Sequence, residues 1–156
     1  MTRNQGFTLV EILIVVIILG ILAAIVIPQF SSASNDARES ALASDLQTLR
    51  SQLELYNIQH LDHYPNVASA DSGATWAVDN TANFVACMTS KTDEYGNPDA
   101  NGGFGAYMQN FPTNAFNGLN TVRVDATNTA GAGTDGWQFD TSTGRLSPDD
   151  NAHAAL

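Results

Sequence analysis

The stretch GFTLVEILIVVIILGILAAIVIPQF holds one ionisable side chain, the carboxylate of Glu11, inside an otherwise apolar run. On insertion scales an acidic group at the centre of a membrane helix costs roughly 2.5 to 3.5 kcal/mol, so it is kept where it has a partner or a task. A carboxylate that snorkels to the headgroups from near the helix end is the plainer alternative. A second set of candidates is oxygen-rich. Asn97-Pro98-Asp99-Ala100-Asn101-Gly102 places ligands at alternate positions before a glycine, as in the first half of a calcium loop, but Met108 stands where the bidentate Glu belongs. Asp93, Asn97, Asp99 and Asn101 are the calcium candidates, with Asp135 and Asp140 as further carboxylates; polar turns with solvated carboxylates account for the same residues. No metal ligand set is assigned. His60 and His63 sit three apart around Asp62, a metal-compatible spacing, yet no third or fourth ligand of suitable softness stands out, which favours a capping and packing cluster. His153 lies in a tail. Cys87 is the single cysteine and cannot form an internal disulfide; a buried thiol is simpler than an intermolecular bridge. No Gly-x-Ser-x-Gly elbow, phosphate loop, His-Glu-x-x-His helix or zinc-spaced cysteine set is present, so no enzymatic activity is expected.

Two very different parts of the chain must position these groups. Residues 12–27 contain no charged or strongly polar side chain, whereas everything after Phe30 is rich in Ser, Thr, Asn, Asp and Gly. Arg3 and Glu11 cancel, so the net charge of −10 lies on the part after Phe30. Such an acidic surface repels phosphates and argues against direct nucleic-acid binding. The apolar run is too long for a removable secretory signal, whose apolar region is about 7 to 15 residues. A transmembrane helix needs about 20 apolar residues, a length that residues 7–27 meet if Glu11 is tolerated. Arg3 ahead of it favours a cytoplasmic N-terminus. A buried core helix is the third reading, but it needs a larger protein around it. Gly20, Ala23 and Ala24 lie nearly on one face, as close helix approach or simple membrane filler would have them. Pro28 removes a backbone donor, so the helix is expected to kink or loosen near Val26 and Ile27.

The same stretch resembles the N-terminal signature of type IV pilins and type II secretion pseudopilins: a short polar leader ending in Gly, then Phe-Thr-Leu-Val-Glu, an apolar helix and a Pro. The resemblance covers Gly6 to Phe30. It implies that residues 1–6 are a leader, cut between Gly6 and Phe7 by a membrane aspartyl peptidase that also N-methylates the new amine of Phe7. Cleavage leaves a positive α-amino group four residues before Glu11. In a packed filament the Glu11 carboxylate of one subunit would then pair with the Phe7 ammonium of a neighbour and set the register. Local melting of the helix near Pro28 in the assembled filament is implied likewise. The partners implied are further copies in a helical homopolymer, the prepilin peptidase and N-methyltransferase, an inner-membrane assembly platform and minor pseudopilins. The implied location is a single pass through the inner membrane, with the head in the periplasm or on an extracellular filament.

Beyond Pro28 the pattern turns amphipathic. Leu42, Leu46, Leu49, Leu53, Tyr56 and His60 recur at spacings of four and three, which predicts a half-buried helix over residues 31–64, ended near His60 to Tyr64 by Pro65. QLELYNIQHLDHYPN resembles the end of the head-domain helix in the major pseudopilin of the type II system. Residues 65–156 read as a globular head of loops and short strands, with Trp76 to Met88 compatible with a helix or a strand pair. Val122 and Val124 alternate, as do Trp137 and Phe139, and Thr141-Ser142-Thr143-Gly144 forms a turn into a returning strand at 145–147. GAYMQNFPTNAFNG and DGWQFDTSTGRLSPDD are similar to the ending of pseudopilin-like proteins. Major pseudopilins carry calcium, although their Asp-Pro-Trp-Gly segment and acid-dense C-terminal loop are missing here. The expected fold is therefore α+β and pilin-like: a long N-terminal helix, residues 7–30 in the membrane or filament core and 31–64 in the head, packed on a small C-terminal antiparallel sheet. The expected function is a structural subunit of a type II secretion pseudopilus that drives protein export across the outer membrane. A type IV pilus subunit for adhesion, motility or DNA uptake is one alternative. A monomeric single-pass anchored binding module is the other, and Glu11 discriminates the two classes on the expectation that a lone anchor gains nothing from a charge there.

Overall fold

The computed structural model describes residues 6–65, 81–126 and 130–156. The chain divides into two compact units, Met1–Arg38 and Glu39–Leu156. Helix α1 (Leu9–Gln59) supplies the apolar run of the first unit and the amphipathic segment of the second, and its helical backbone includes Val26, Ile27 and Pro28. In the first unit an 18-residue window has a mean hydropathy of 3.3, and none of it is buried within the chain. That removes the core-helix reading, because a helix meant for its own protein's interior would be covered. By length and composition the segment can cross a bilayer.

In the second unit the predicted stripe is the core. Leu42, Leu46, Leu49, Leu53, Tyr56 and His60 are all at most 4% exposed. The five apolar members join Phe84, Cys87, Met88, Phe111, Val122, Val124, Trp137, Phe139 and Leu146 in one cluster. α1 stops one residue before His60. The Asp62 N–H donates to the Asn57 carbonyl at 3.0 Å while Leu61 and Asp62 take φ of 55° and 63°, the left-handed turn that closes a helix by satisfying its last carbonyls. Leucine there lacks glycine's freedom, so Pro65 and the packing of Tyr64 on Phe139, at a centroid distance of 5.4 Å, hold the exit.

Helix α2 (Thr81–Thr89) resolves the ambiguous segment as helical over 81–88; residues 76–80 lie outside the described residues. Strands β1 (Lys91–Thr92) and β2 (Phe104–Gly105) form a short antiparallel ribbon. β3 (Val122–Asp125), β4 (Trp137–Asp140) and β5 (Arg145–Pro148) form a three-stranded sheet in that order. The predicted turn at 141–144 joins β4 and β5 as an antiparallel hairpin. β3, however, pairs with β4 in parallel, so the sheet is mixed rather than wholly antiparallel. The antiparallel pairing of β4 and β5 follows from their connection, since a four-residue turn must reverse the chain. β4 is central and buried on both faces, which brings Gln138 and Asp140 inside with Trp137 and Phe139.

Candidate functional site

Glu11 is placed by the first turn of α1. Its backbone N–H donates to Thr8 Oγ1 at 3.2 Å, and its Oε2 lies 3.5 Å from the Thr8 N–H. Thr8-Leu9-Val10-Glu11 is thus a reciprocal capping box, with the carboxylate also at the positive end of the helix dipole. This corrects one argument made from sequence: a lone anchor does gain from Glu11, because the side chain caps its own helix. Phe7 is 79% exposed ahead of the cap. Gly6 is non-helical, and a Cβ added to it would meet no atom within 4 Å. Among the described residues nothing in the packing therefore demands glycine at position 6. Residues 1–5 of the expected leader lie outside the described residues. Gly20 is equally open, and the apolar side chains around it are exposed in the single chain.

In the head, the oxygen-rich loop is tied to itself. Asp93 Oδ1 accepts from the Tyr95 and Asn97 N–H groups at 3.0 and 2.8 Å, and Oδ2 accepts from Asn97 Nδ2 at 3.0 Å. Asp99 Oδ1 accepts from the Asn101 N–H at 2.9 Å. The structure thus brings Asp93 to Asn97 and Asp99 to Asn101 as turn-closing pairs. Asp140 caps the β4–β5 turn, accepting from the Ser142 N–H and hydroxyl at 2.8 and 2.6 Å and from the Thr143 hydroxyl at 2.8 Å. His60 does not pair with His63. Its Nε2 lies 3.1 Å from Thr92 Oγ1 and 3.0 Å from the Tyr107 hydroxyl, and its Nδ1 lies 3.4 Å from the Glu94 carbonyl, an arrangement that fastens the β1–β2 ribbon to the end of α1.

These groups give the head a two-step response to acid. Burial holds the His60 imidazole below its ordinary value, against the opposing pull of the Glu94 carbonyl and Asp93. Such a histidine is neutral in both states at neutral pH. Below about 6.5 the unfolded chain takes up the proton first, so stability falls as pH drops from there. The Asp140 carboxyl is held low chiefly by the Ser142 hydroxyl. At Asp93, burial pushes upward but the Asn97 and Tyr95 bonds win. A depressed carboxyl contributes stability above its unfolded value of about 4 that is lost as pH falls through the folded one. Melting of the full chain in detergent should be flat from about pH 7 to 9, decline below about 6.5, and decline again below about 4. His60→Phe should erase the first decline; a first decline that survives in that variant would assign it elsewhere.

The segment that resembled a pseudopilin ending clasps the hairpin. The Trp137 indole donates to the Pro112 carbonyl at 2.9 Å. Buried Asn114 donates to the Gly136 carbonyl at 2.9 Å, and Asn117 donates to the Asp135 carbonyl at 2.7 Å.

Residues 1–27 match the family model described as the prokaryotic N-terminal methylation motif. Type II secretion system core protein G of Pseudomonas aeruginosa is 41% identical over 64 residues, 41% of this chain and 44% of the relative. The core protein G of Dickeya chrysanthemi is 40% identical over 63 residues, 40% of each chain. The type IV narrow pilus major component PilA5 of Thermus thermophilus is 30% identical over 96 residues, 56% of this chain and 82% of the relative. The chain belongs to the type IV pilin and type II secretion pseudopilin family. It spans between 40% and 46% of the length of the core protein G relatives it matches. No solved structure matches it. The candidate functional surface is the exposed apolar half of α1 with its Thr8–Glu11 cap. Sequence reasoning missed the cap although Thr-x-x-Glu spells it. It also missed His60 with Thr92 and Tyr107, and Asp149 with Arg123, for which no local signal exists.

Proposed function

We propose that this chain is a structural subunit of a type II secretion pseudopilus, a helical homopolymer built through residues 7–30 that drives protein export across the outer membrane. The observation that carries this reading is the 41% identity to a type II core protein G over 64 residues. In this reading a prepilin peptidase cuts after Gly6 and N-methylates Phe7, α1 anchors the subunit once in the inner membrane with the head in the periplasm, and an assembly platform with minor pseudopilins receives it. The Glu11 carboxylate meets the Phe7 ammonium of a neighbouring subunit, and α1 loosens near Pro28 on assembly. A type IV pilus subunit is the second reading, favoured by the 82% coverage of PilA5. Deleting the gene separates the two: a pseudopilin mutant retains secreted proteins in the periplasm, while a pilus mutant exports normally and lacks surface filaments.

Maturation supplies a further test. Glycine lets the backbone enter a peptidase cleft extended and without a side chain. Gly6→Val should abolish cleavage and leave the full-length precursor in the membrane, since a Cβ at position 6 disturbs nothing in the chain itself. Mass spectrometry of extracted parent protein should find N-methylated Phe7. Filaments retaining Met1 would sink this reading.

A further inference from the structure

Likeness to the major pseudopilins implies a calcium ion in the head, and the donors among the described residues do not fit one. Calcium needs six to eight oxygen lone pairs at about 2.3 to 2.6 Å. The most deeply buried carboxylate near the chain's end, Asp149, is 0% exposed and offers none. Its Oδ1 accepts from Arg123 Nη2 at 2.9 Å, the Gly131 N–H at 2.9 Å and the Ala132 N–H at 3.1 Å. Its Oδ2 accepts from the Asp135 N–H at 3.2 Å and faces the Thr134 hydroxyl at 3.4 Å. The N–H groups of Gly131, Ala132 and Asp135 point at this carboxylate, and a cation would have to displace them. Neighbouring carboxylates are committed as well. Asp125 Oδ2 takes Arg123 Nη1 and Oδ1 takes Gln138 Nε2 at 2.9 Å. Asp150 Oδ2 takes Asn114 Nδ2 at 3.2 Å, and its Oδ1 takes the His153 N–H at 3.1 Å. Among the described residues no three His, Cys, Asp or Glu side chains gather to hold a metal.

We infer that the Arg123 guanidinium, projecting from β3 between Asp125 and Asp149, closes the head's β3–β4 loop in place of a divalent cation, so that this chain folds independently of calcium. A guanidinium suits the task because it stays charged at any physiological pH and its planar fork reaches two carboxylates at once. Burial alone would raise the Asp149 carboxyl, but the bonds from Arg123 and the loop N–H groups hold it below the usual carboxylate range. The inference rests on the residues of the head and not on whether the filament is a pseudopilus or a pilus.

The test is thermal melting of the full chain in detergent, followed by near-UV circular dichroism, in millimolar CaCl2 and in EGTA. A native calcium site filled at a hundred times its dissociation constant would lift the midpoint by about 10 °C or more. The parent is expected to melt within about 1 °C in the two buffers, a difference far below that ligand effect. Arg123→Gln should melt about 10 °C or more lower in both, since it strands a buried carboxylate, with Arg123→Lys in between. A calcium-dependent rise of several degrees in the parent, or an Arg123→Gln midpoint equal to the parent's, would overturn the inference. Should Arg123→Gln fail to fold, the two-buffer comparison on the parent still decides calcium independence, and Arg123→Lys still decides the role of the fork. Filament assembly is not read, so neither result bears on the assembly function.

Discussion

Glu11→Gln subunits should insert in the membrane and lose their leader normally, yet form few or no filaments. The substitution isolates charge from shape. Glutamine at the third helical position still reaches back to the capping residue, so the Thr8 cap seen in the single chain is retained while the counter-charge proposed for the neighbour's Phe7 ammonium is gone. Breaking a buried ion pair by removing one partner costs about 3 to 5 kcal/mol, which is roughly two to four powers of ten in the equilibrium for each subunit added. Glu11→Ala removes cap and charge together and should be at least as severe in assembly, although its membrane helix is more apolar. Cysteines introduced near Gly20 on adjacent subunits would report packing by crosslinking in cells. If Glu11→Gln crosslinks and polymerises like the parent while Glu11→Ala does not, capping alone explains the residue and the intersubunit pair is wrong.

In the head the largest single loss should come from Trp137→Ala. Trp137 is 0% exposed at the start of the central strand, within the same core as the leucines of α1, and its indole holds the Pro112 carbonyl at 2.9 Å. Truncating a buried tryptophan costs about 3 to 5 kcal/mol, and stranding the carbonyl adds about 1 to 3. Since domains of this kind are stable by only about 5 to 15 kcal/mol, the variant should sit close to unfolding at 37 °C. Trp137→Phe keeps most of the ring volume and should cost about 1 to 2 kcal/mol, chiefly the lost hydrogen bond. Denaturant melts of the full chain in detergent measure both. A loss under about 1 kcal/mol for Trp137→Ala would mean that the β4 face is not where the head's stability resides.

What the sequence discloses about this fold depends on how local the physics is. The leucine stripe from Leu42 to Leu53 is legible because a helix repeats every 3.6 residues and a buried face must follow that repeat. The β4–β5 hairpin is legible because Thr141 to Gly144 can do little but turn, with Gly144 at φ +70°. The direction of β3 is not, since its parallel pairing with β4 is not written in any residue within the strand. The same holds for polar pairs. Thr8 and Glu11 are three residues apart and advertise their contact, whereas Arg123 and Asp149 are 26 apart and His60 and Thr92 are 32 apart. Such long-range partners become neighbours only once the core has formed. The carboxylates of the 93–101 loop are different: their partners are two to four residues away, but alternating oxygen donors spell a calcium loop and a set of self-closed turns equally well.

Cys87 gives the head a built-in gauge of its own opening. The thiol is 4% exposed on α2, inside the core that also contains Phe84 and Trp137. A maleimide or similar electrophile in the buffer should therefore ignore it until the core breathes, and the labelling rate at saturating reagent tracks how often that happens. The same concealment makes the native protein a clean background for site-directed labelling: a cysteine placed on the exposed face of α1 would react in seconds against a silent endogenous thiol, with no need to mutate Cys87 away.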